Sequence, residues 1–365
     1  MKILQIIYSL ISGGAERFAV DLSNELADQG HQVVLCMLRD PEVQNFGFYR
    51  SEISRKVTFR SLNIPEGFRI GNIYRLFRLI QEEEPDIVHC HLNLVNYIYL
   101  LTHLFKKVKF YHTLHNDAST LVSSRLEFLL SRHYYLNSKV RAVTISSESS
   151  HSFAAFYKHK VYREIVNGRK TPRITEMYPV VAGQFENMKK GGTKVFLHIG
   201  RCSYQKNQQL LIQVFNRLVS AGKPVYLIVL GSGFNSEEGR QLQQEACEKI
   251  VFLGEQHNIA DYLHTADALC LTSRHEGMPI SLIEALACGC TPVCTPVGGV
   301  VDAIEHGKTG YLSASTSEED YYRTVHDFLD VRFKIRREDL ERHYREHFSI
   351  ETCARKHIEL YSNAD

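Results

Sequence analysis

The sequence predicts an α/β protein made of two doubly wound parallel-sheet domains facing a central cleft. Three observations carry that prediction. At 365 residues the chain exceeds one ordinary core. Short apolar runs alternate with amphipathic helical segments, the pattern that builds parallel sheets. The alternation loosens between Asn167 and Gly192 and then restarts.

Each element follows from local pattern. Ile3 to Tyr8 is a short buried strand. A Gly13-Gly14 turn leads into a helix from about Ala15 to Gln29, with Phe18, Ala19, Leu22 and Leu26 on one face and Gly30 as its stop. Val33 to Leu38 is the next strand. A helix near Asn72 to Glu83, the strand "DIVHCH", a helix through "NYIYLLTHLF" and the strands "KFYHTLH" and "VRAVTIS" continue the series. Residues 171–192, rich in Pro, Gly and charge, read as a linker between a domain of residues 1–170 and one of residues 193–348. The second series runs through "KVFLHIG", "VYLIVLG", "IVFLGE", "ALCLTS" and "TPVCTP". A final helix, capped by Ser349 within residues 349–365, presents Ile350, Cys353, His357, Ile358 and Tyr361 on a side that must dock somewhere.

Bulk composition narrows the class. Hydrophobic residues at 44% and charged residues at 23% describe a globular chain rather than a disordered one. A net charge of +2 gives no reason to expect nucleic acid as a partner. Nine cysteines without a regular framework suggest free thiols in a reducing compartment, and Cys288, Cys290 and Cys294 read as small buried hydrophobes. Gln5, Tyr8 and Ser9 interrupt the apolar start, so it does not read as a leader peptide. No window approaches the roughly 18 apolar residues of a membrane span. The expected location is the cytoplasm.

The motifs that carry chemistry lie at strand ends. "SRHEGMPISLIEALACG" sets Glu276 and Glu284 eight positions apart, the second inside an otherwise apolar run. Such a helix is buried, and a buried carboxylate needs a hydrogen-bond partner. Glu284 is therefore either paired within the protein or set to meet a ligand. Pro279 suits a first helical turn and Gly289 a stop, so Glu276-Gly277-Met278 lies on a loop running into a helix N-terminus, a ready anion site. Carboxylates beside an anion suit hydroxyls, and the combination fits a nucleotide sugar. A helix cap with a buried salt bridge fits it too.

In "HIGRCSYQKN", Arg201 and Lys206 follow a strand end at Gly200, a fork and a point charge suited to adjacent phosphates. They also read as two solvated cations. "SGGAE" lets a ligand approach the backbone at Gly13-Gly14, but without a third glycine it is not a dinucleotide fingerprint. In "YHTLHND", His112, His115 and Asp117 end a strand, where a histidine can act as acid/base or hydrogen-bond donor. His89 and His91 share a strand face, but no Cys/His partners complete a metal set, so they read as structural.

Together these features resemble the retaining glycosyltransferases of the GT-B fold, family 4 (glycosyl transferases group 1). The E-x(7)-E signature is Glu276 and Glu284; the donor loop is Gly200, Arg201 and Lys206; the N-terminal glycine loop is Gly13-Gly14. "HTLH", Asn167-Gly168 and "GGVVDAIEHGKTGYL" also match. Two departures stand out: "NGRKTP" lacks the usual acidic residue after the hinge glycine, and Asp302 stands where glutamate is commoner.

The resemblance implies that Arg201, Lys206 and Gly14 hold the donor diphosphate and that Glu284 binds the ribose hydroxyls. It places Glu276 at the transferred sugar and His115 at the sugar or acceptor. Gly13, Gly277, Met278, Ser281 and Leu282 complete the implied donor site, and Glu276, His115, Arg201 and Lys206 the catalytic group. It also implies same-face attack with retention, no metal, a UDP-sugar ahead of a GDP-sugar, and a final helix that returns to the N-terminal domain. The implied acceptor is a glycan or lipid-linked glycan in surface polysaccharide biosynthesis. A nucleotide-sugar isomerase or hydrolase of the same fold, or a non-catalytic nucleotide-sugar binding protein, are the alternatives.

One further pattern concerns membranes. Between Tyr49 and Arg78 the cations Arg50, Arg55, Lys56, Arg60, Arg69, Arg75 and Arg78 interleave with aromatics, and Lys106, Lys107 and Lys109 form a second patch. They read either as solvated helix faces or as peripheral contact with an anionic membrane face.

Overall fold

A computed structural model describes residues 1–43, 46–64, 70–122 and 124–363. The chain forms two compact units, residues 1–170 with 348–365 and residues 171–347.

The first unit holds strands β1 (Lys2–Ile7), β2 (Gln32–Met37), β3 (Val57–Ser61), β4 (Ile87–His91), β5 (Lys109–Leu114), β6 (Arg141–Thr144) and β7 (Tyr162–Glu164). They form one parallel sheet in the order β3-β2-β1-β4-β5-β6-β7. Its helices are α1 (Gly14–Asp28), α2 (Ile70–Glu83), α3 (Val95–Leu104), α4 (Arg125–Leu136) and α5 (Ser147–Tyr157). The order reverses between β1 and β4, and ligands of such sheets sit beyond the carboxyl ends of the strands at that switch.

The second unit opens with α6 (Tyr178–Met188), inside the stretch expected to be a linker. Pro179 at the start of the helix has no N–H to lose there, and Val181 and Phe185 are buried within the unit. Residues 171–192 therefore belong to this fold. It continues with β8 (Lys194–Ile199), α7 (Gln208–Ser220), β9 (Val225–Leu230), α8 (Glu237–Glu245), β10 (Ile250–Gly254), α9 (Ile259–Thr265), β11 (Ala268–Leu271), α10 (Ile280–Ala287), β12 (Thr291–Cys294), α11 (Gly299–Ala303), β13 (Tyr311–Leu312), α12 (Glu318–Leu329) and α13 (Arg337–His347). The parallel sheet runs β10-β9-β8-β11-β12-β13, with its switch between β8 and β11. Cys288, Cys290 and Cys294 are buried free thiols in this unit.

The last helix, α14 (Ile350–Ser362), rejoins the first unit, packing against α1 with Ser349 as N-cap. Its Ile350, Cys353, Ala354 and Tyr361 share an apolar cluster with Phe18 and Leu22 of α1, on one face of the sheet. Helices α2 to α5 cover the other face. Where the chain leaves this unit and returns, Arg169 N–H donates to Phe348 and Ile350 N–H to Arg169, at 3.0 and 3.2 Å. The Arg169 side chain, standing after the hinge glycine, bonds Asp21 of α1 at 2.7 Å, both largely buried. That contact explains the tolerance for a cation here.

Candidate active site

In the second unit the sequence motifs meet at the switch strands. Gly200 and Arg201 follow β8; Thr272, Ser273 and Glu276 follow β11. Asn207 adopts a left-handed conformation (φ 51°), tolerable for asparagine, and turns the loop that follows β8 into α7. Its amide oxygen accepts from Arg274 at 2.9 Å, and the Thr272 hydroxyl donates to its carbonyl at 3.1 Å. The two loops are thus tied together. Beneath them, buried His198 donates from Nδ1 to the Cys270 carbonyl at 2.9 Å, while Gln208 donates to the Arg201 carbonyl at 2.9 Å and faces His198 Nε2 at 3.2 Å. Burial pushes the His198 pKa down to about 4, keeping that ring neutral.

Lys206 Nζ lies 2.6 Å from Glu276 Oε1, and the Ser273 hydroxyl donates to the same oxygen at 2.6 Å. Lysine and glutamate, expected to face different parts of a donor, here face each other. Arg201 is exposed at the mouth of the same loop. Pro279 is the N-cap of α10 rather than its first-turn residue, and the helix begins at Ile280. Met278 and Leu282 are buried, and Leu282 N–H already donates to the Pro279 carbonyl at 3.1 Å. Ser281, in the first turn of α10, is only partly buried. Glu284 sits in the second turn of α10, about nine-tenths buried. The loop has no slack: Gly299 N–H bonds the Gly277 carbonyl at 2.9 Å, and a Cβ on Gly299 would fall 2.1 Å from that oxygen.

In the first unit Gly13 caps α1 and Gly14 begins it. Glu16, buried in the first turn, folds over Gly13 so closely that a Cβ there would sit 2.3 Å from Oε2. A carboxylate at a helix N-terminus is favoured by the dipole. Two-residue alternation turns Gln5, His89, His91, Thr113 and His115 to the sheet face covered by α1 and α14. His89 bonds Tyr361 of α14 and Thr113 at 2.5 and 2.7 Å, and stacks on His91 at 4.7 Å. His91 bonds Gln5 at 2.7 Å and His115 at 3.1 Å. His112, on the opposite face, bonds the Tyr135 hydroxyl at 2.6 Å. The structural reading of His89 and His91 follows from these partners. Among the described residues no three His, Cys, Asp or Glu side chains are grouped to hold a metal ion.

The membrane patch changes character. Arg50 pairs with Glu42, Lys56 with Asp28, Arg60 with Glu83 and Arg78 with Glu82. Arg75 donates to the carbonyls of Leu62 and Asn63, and Arg69 lies outside the described residues. Lys109 donates to the carbonyls of Tyr361 and Asn363, while Lys106 and Lys107 stay exposed. Leu100 and Leu104 of α3, Leu126 and Leu129 of α4 and Tyr74 of α2 are also exposed. Among the described residues no helix is long and apolar enough to cross a membrane.

Comparison with known proteins fits this geometry. The family model for glycosyl transferases group 1 matches residues 183–347, and that for glycosyltransferase family 4 matches residues 12–162. The chain belongs to the group 1, family 4 glycosyltransferases. As a glycosyltransferase of the GT-B class it resembles N-acetyl-alpha-D-glucosaminyl L-malate synthase of Bacillus anthracis, 25% identical over 82% of this chain and 80% of that one. A Campylobacter jejuni N-acetyl-D-galactosaminyltransferase named for a PP-undecaprenol-linked substrate is 26% identical over 87% of this chain and 86% of its own. Anabaena HepE, solved in complex with UDP and glucose, superposes with a TM-score of 0.79 at 18% identity over 100% of both chains.

Proposed function

We propose that this glycosyltransferase moves a hexose from a UDP-sugar, in preference to a GDP-sugar, onto a glycan or lipid-linked glycan with retention of anomeric configuration. Surface polysaccharide assembly is the process it would serve. The observation that carries the reading is the cluster of Lys206, Ser273 and Glu276 at the switch-strand ends ahead of α10, with Arg201 exposed beside it.

The chemistry follows from charge. A departing diphosphate needs preorganised cations and N–H donors, and Arg201, Lys206 and the first turn of α10 supply both. Lys206 would exchange Glu276 for phosphate on donor binding and release the carboxylate toward sugar hydroxyls. Glu276, held by a lysine and a serine, is a poor nucleophile, which favours same-face attack with the diphosphate taking the acceptor proton. The charge balance calls for no metal. Glu284 would accept from the ribose. The relatives' names support the choice of UDP-sugar and of a polyprenol-linked acceptor.

Turnover against UDP- and GDP-sugars with a polyprenyl-diphosphate glycan, and the product anomer by NMR, test the proposal. Retained configuration from a UDP-sugar is expected; an inverted product or no release of nucleotide from any donor would overturn it. The acceptor half carries a membrane corollary. Leu100, Leu104, Leu126 and Leu129, with Lys106 and Lys107, would rest on an anionic leaflet. Flotation with anionic vesicles should be lost in Leu100/Leu104→Ser and weaken with salt; no binding at low salt refutes it.

A further inference from the structure

The polar stripe under α1 fixes more than packing. Gln5 Oε1 can only accept, so His91 Nε2, 2.7 Å away, carries a proton. Burial, followed by the neighbouring histidines, pushes the His91 pKa well below its ordinary value, so the ring is neutral and its Nδ1 is bare. That bare nitrogen faces His115 Nε2 at 3.1 Å, and only a proton on His115 Nε2 makes the contact a hydrogen bond. Burial also takes the His115 pKa down to about 3, so this ring holds a single proton. It is spent on Nε2. The Nδ1 of His115 is then a lone pair, and it is buried without a hydrogen-bond partner among the described residues. Phe18 packs edge-on against both rings, at 6.0 Å from His91 and 5.6 Å from His115, and holds their orientation.

We propose that Gln5 and His91 are positioning residues that set the tautomer of His115, so that His115 meets its ligand through Nδ1 as a hydrogen-bond acceptor for a hydroxyl. This rests on the transferase reading for the identity of the hydroxyl, which belongs to the sugar or the acceptor. The direction of the relay rests on the Gln5 amide presenting its oxygen to His91 and on both buried rings being neutral, whichever hydroxyl is bound. It makes His115 a group that takes a hydrogen bond from substrate rather than one that donates to it.

The test uses the full chain labelled with nitrogen-15 in histidine. His115→Gln identifies the His115 signals. In the unmodified protein His115 should show a protonated Nε2 and an unprotonated Nδ1. Gln5→Met keeps the bulk but removes the acceptor, and should mix the two tautomers at His91 and His115. His91→Gln keeps a donor toward Gln5 and an acceptor toward His115, and should preserve the His115 pattern; His91→Leu should not. A proton on Nδ1 of His115 in the unmodified protein, or an unchanged His115 pattern in Gln5→Met, overturns the proposal.

Kinetics supply the second readout. With UDP-sugar donors, Gln5→Met and His91→Leu should lower kcat by about tenfold or more, with donor KM within about twofold, and His91→Gln should recover most of the rate. Equal losses in melting temperature with unchanged kcat would reduce Gln5 to packing and overturn it. If the unmodified chain transfers no sugar, the functional reading fails while the tautomer measurement still decides this one.

Discussion

Acid should unfold the first unit before the second. His89, His91, His112, His115 and His357 are buried in the first unit, whereas His198 is the one histidine buried to that degree among the described residues of the second. Burial is the leading cause of the depressed pKa in each, to about 4 for His112 and His357 and about 3 for His115. The sign follows from linkage. Below the ordinary value of 6.5 the unfolded chain takes up protons that the folded ring refuses, so stability falls as pH falls, until the folded value is reached. One pH unit is worth about 1.4 kcal/mol per group. At pH 5, His112, His115 and His357 together remove on the order of 6 kcal/mol, within the roughly 5–15 kcal/mol that holds a domain together. His89 and His91 act in the same direction. Hydrogen exchange read by mass spectrometry at pH 7.5, 6 and 5, corrected for intrinsic rates, should show β4, β5 and α14 losing protection while β8 and β9 keep theirs. Equal protection in both units at pH 5, or earlier loss in β8, would refute the reasoning.

Other perturbations address the donor half. Arg201→Ala and Lys206→Ala should each slow transfer by about a hundredfold or more. Lys206→Ala should also lower the melting temperature, since it leaves Glu276 buried without its cation, a loss of about 3 kcal/mol; Lys206→Met with Glu276→Gln should recover stability without recovering rate. Gly299→Ala forces a Cβ onto the Gly277 carbonyl and should cost about 1–3 kcal/mol and weaken UDP binding by calorimetry. Glu284→Gln should weaken UDP binding more than it slows turnover at saturation, and activity should persist in EDTA.

The alternation of apolar runs made the fold readable, because both faces of a parallel sheet must be apolar. The placement of the motifs was equally readable, since Gly200 and Arg201 follow β8 and Glu276 follows β11, at strand ends. Residues 171–192 misled because Pro179 and Gly183 look like breakers, while burial of Val181 and Phe185 needs tertiary context. The pairing of Lys206 with Glu276 spans seventy positions and leaves no local trace. The cation patch looked unpaired because Asp28, Glu42, Glu82 and Glu83 lie outside the basic stretch in sequence and meet it only in the fold. Gln5 was visible as a polar break in "KILQII", but its meaning depends on His91, which lies two residues beyond His89, its partner in the β1–β4 register, on the same sheet face.

The return of α14 to the first unit bears on how the chain is made. Synthesis runs from the N-terminus, yet the unit that is begun first closes last: residues 171–347 are all made before α14. At about 5–20 residues per second, roughly 10–40 s separate synthesis of residue 170 from that of Tyr361. Throughout that interval the sheet face that takes Tyr361 and Ile350 stands uncovered, and His89 lacks its Tyr361 partner. A released chain truncated before Ser349 should therefore display a folded second half and a chaperone-binding first half, the reverse of the order in which the two were translated.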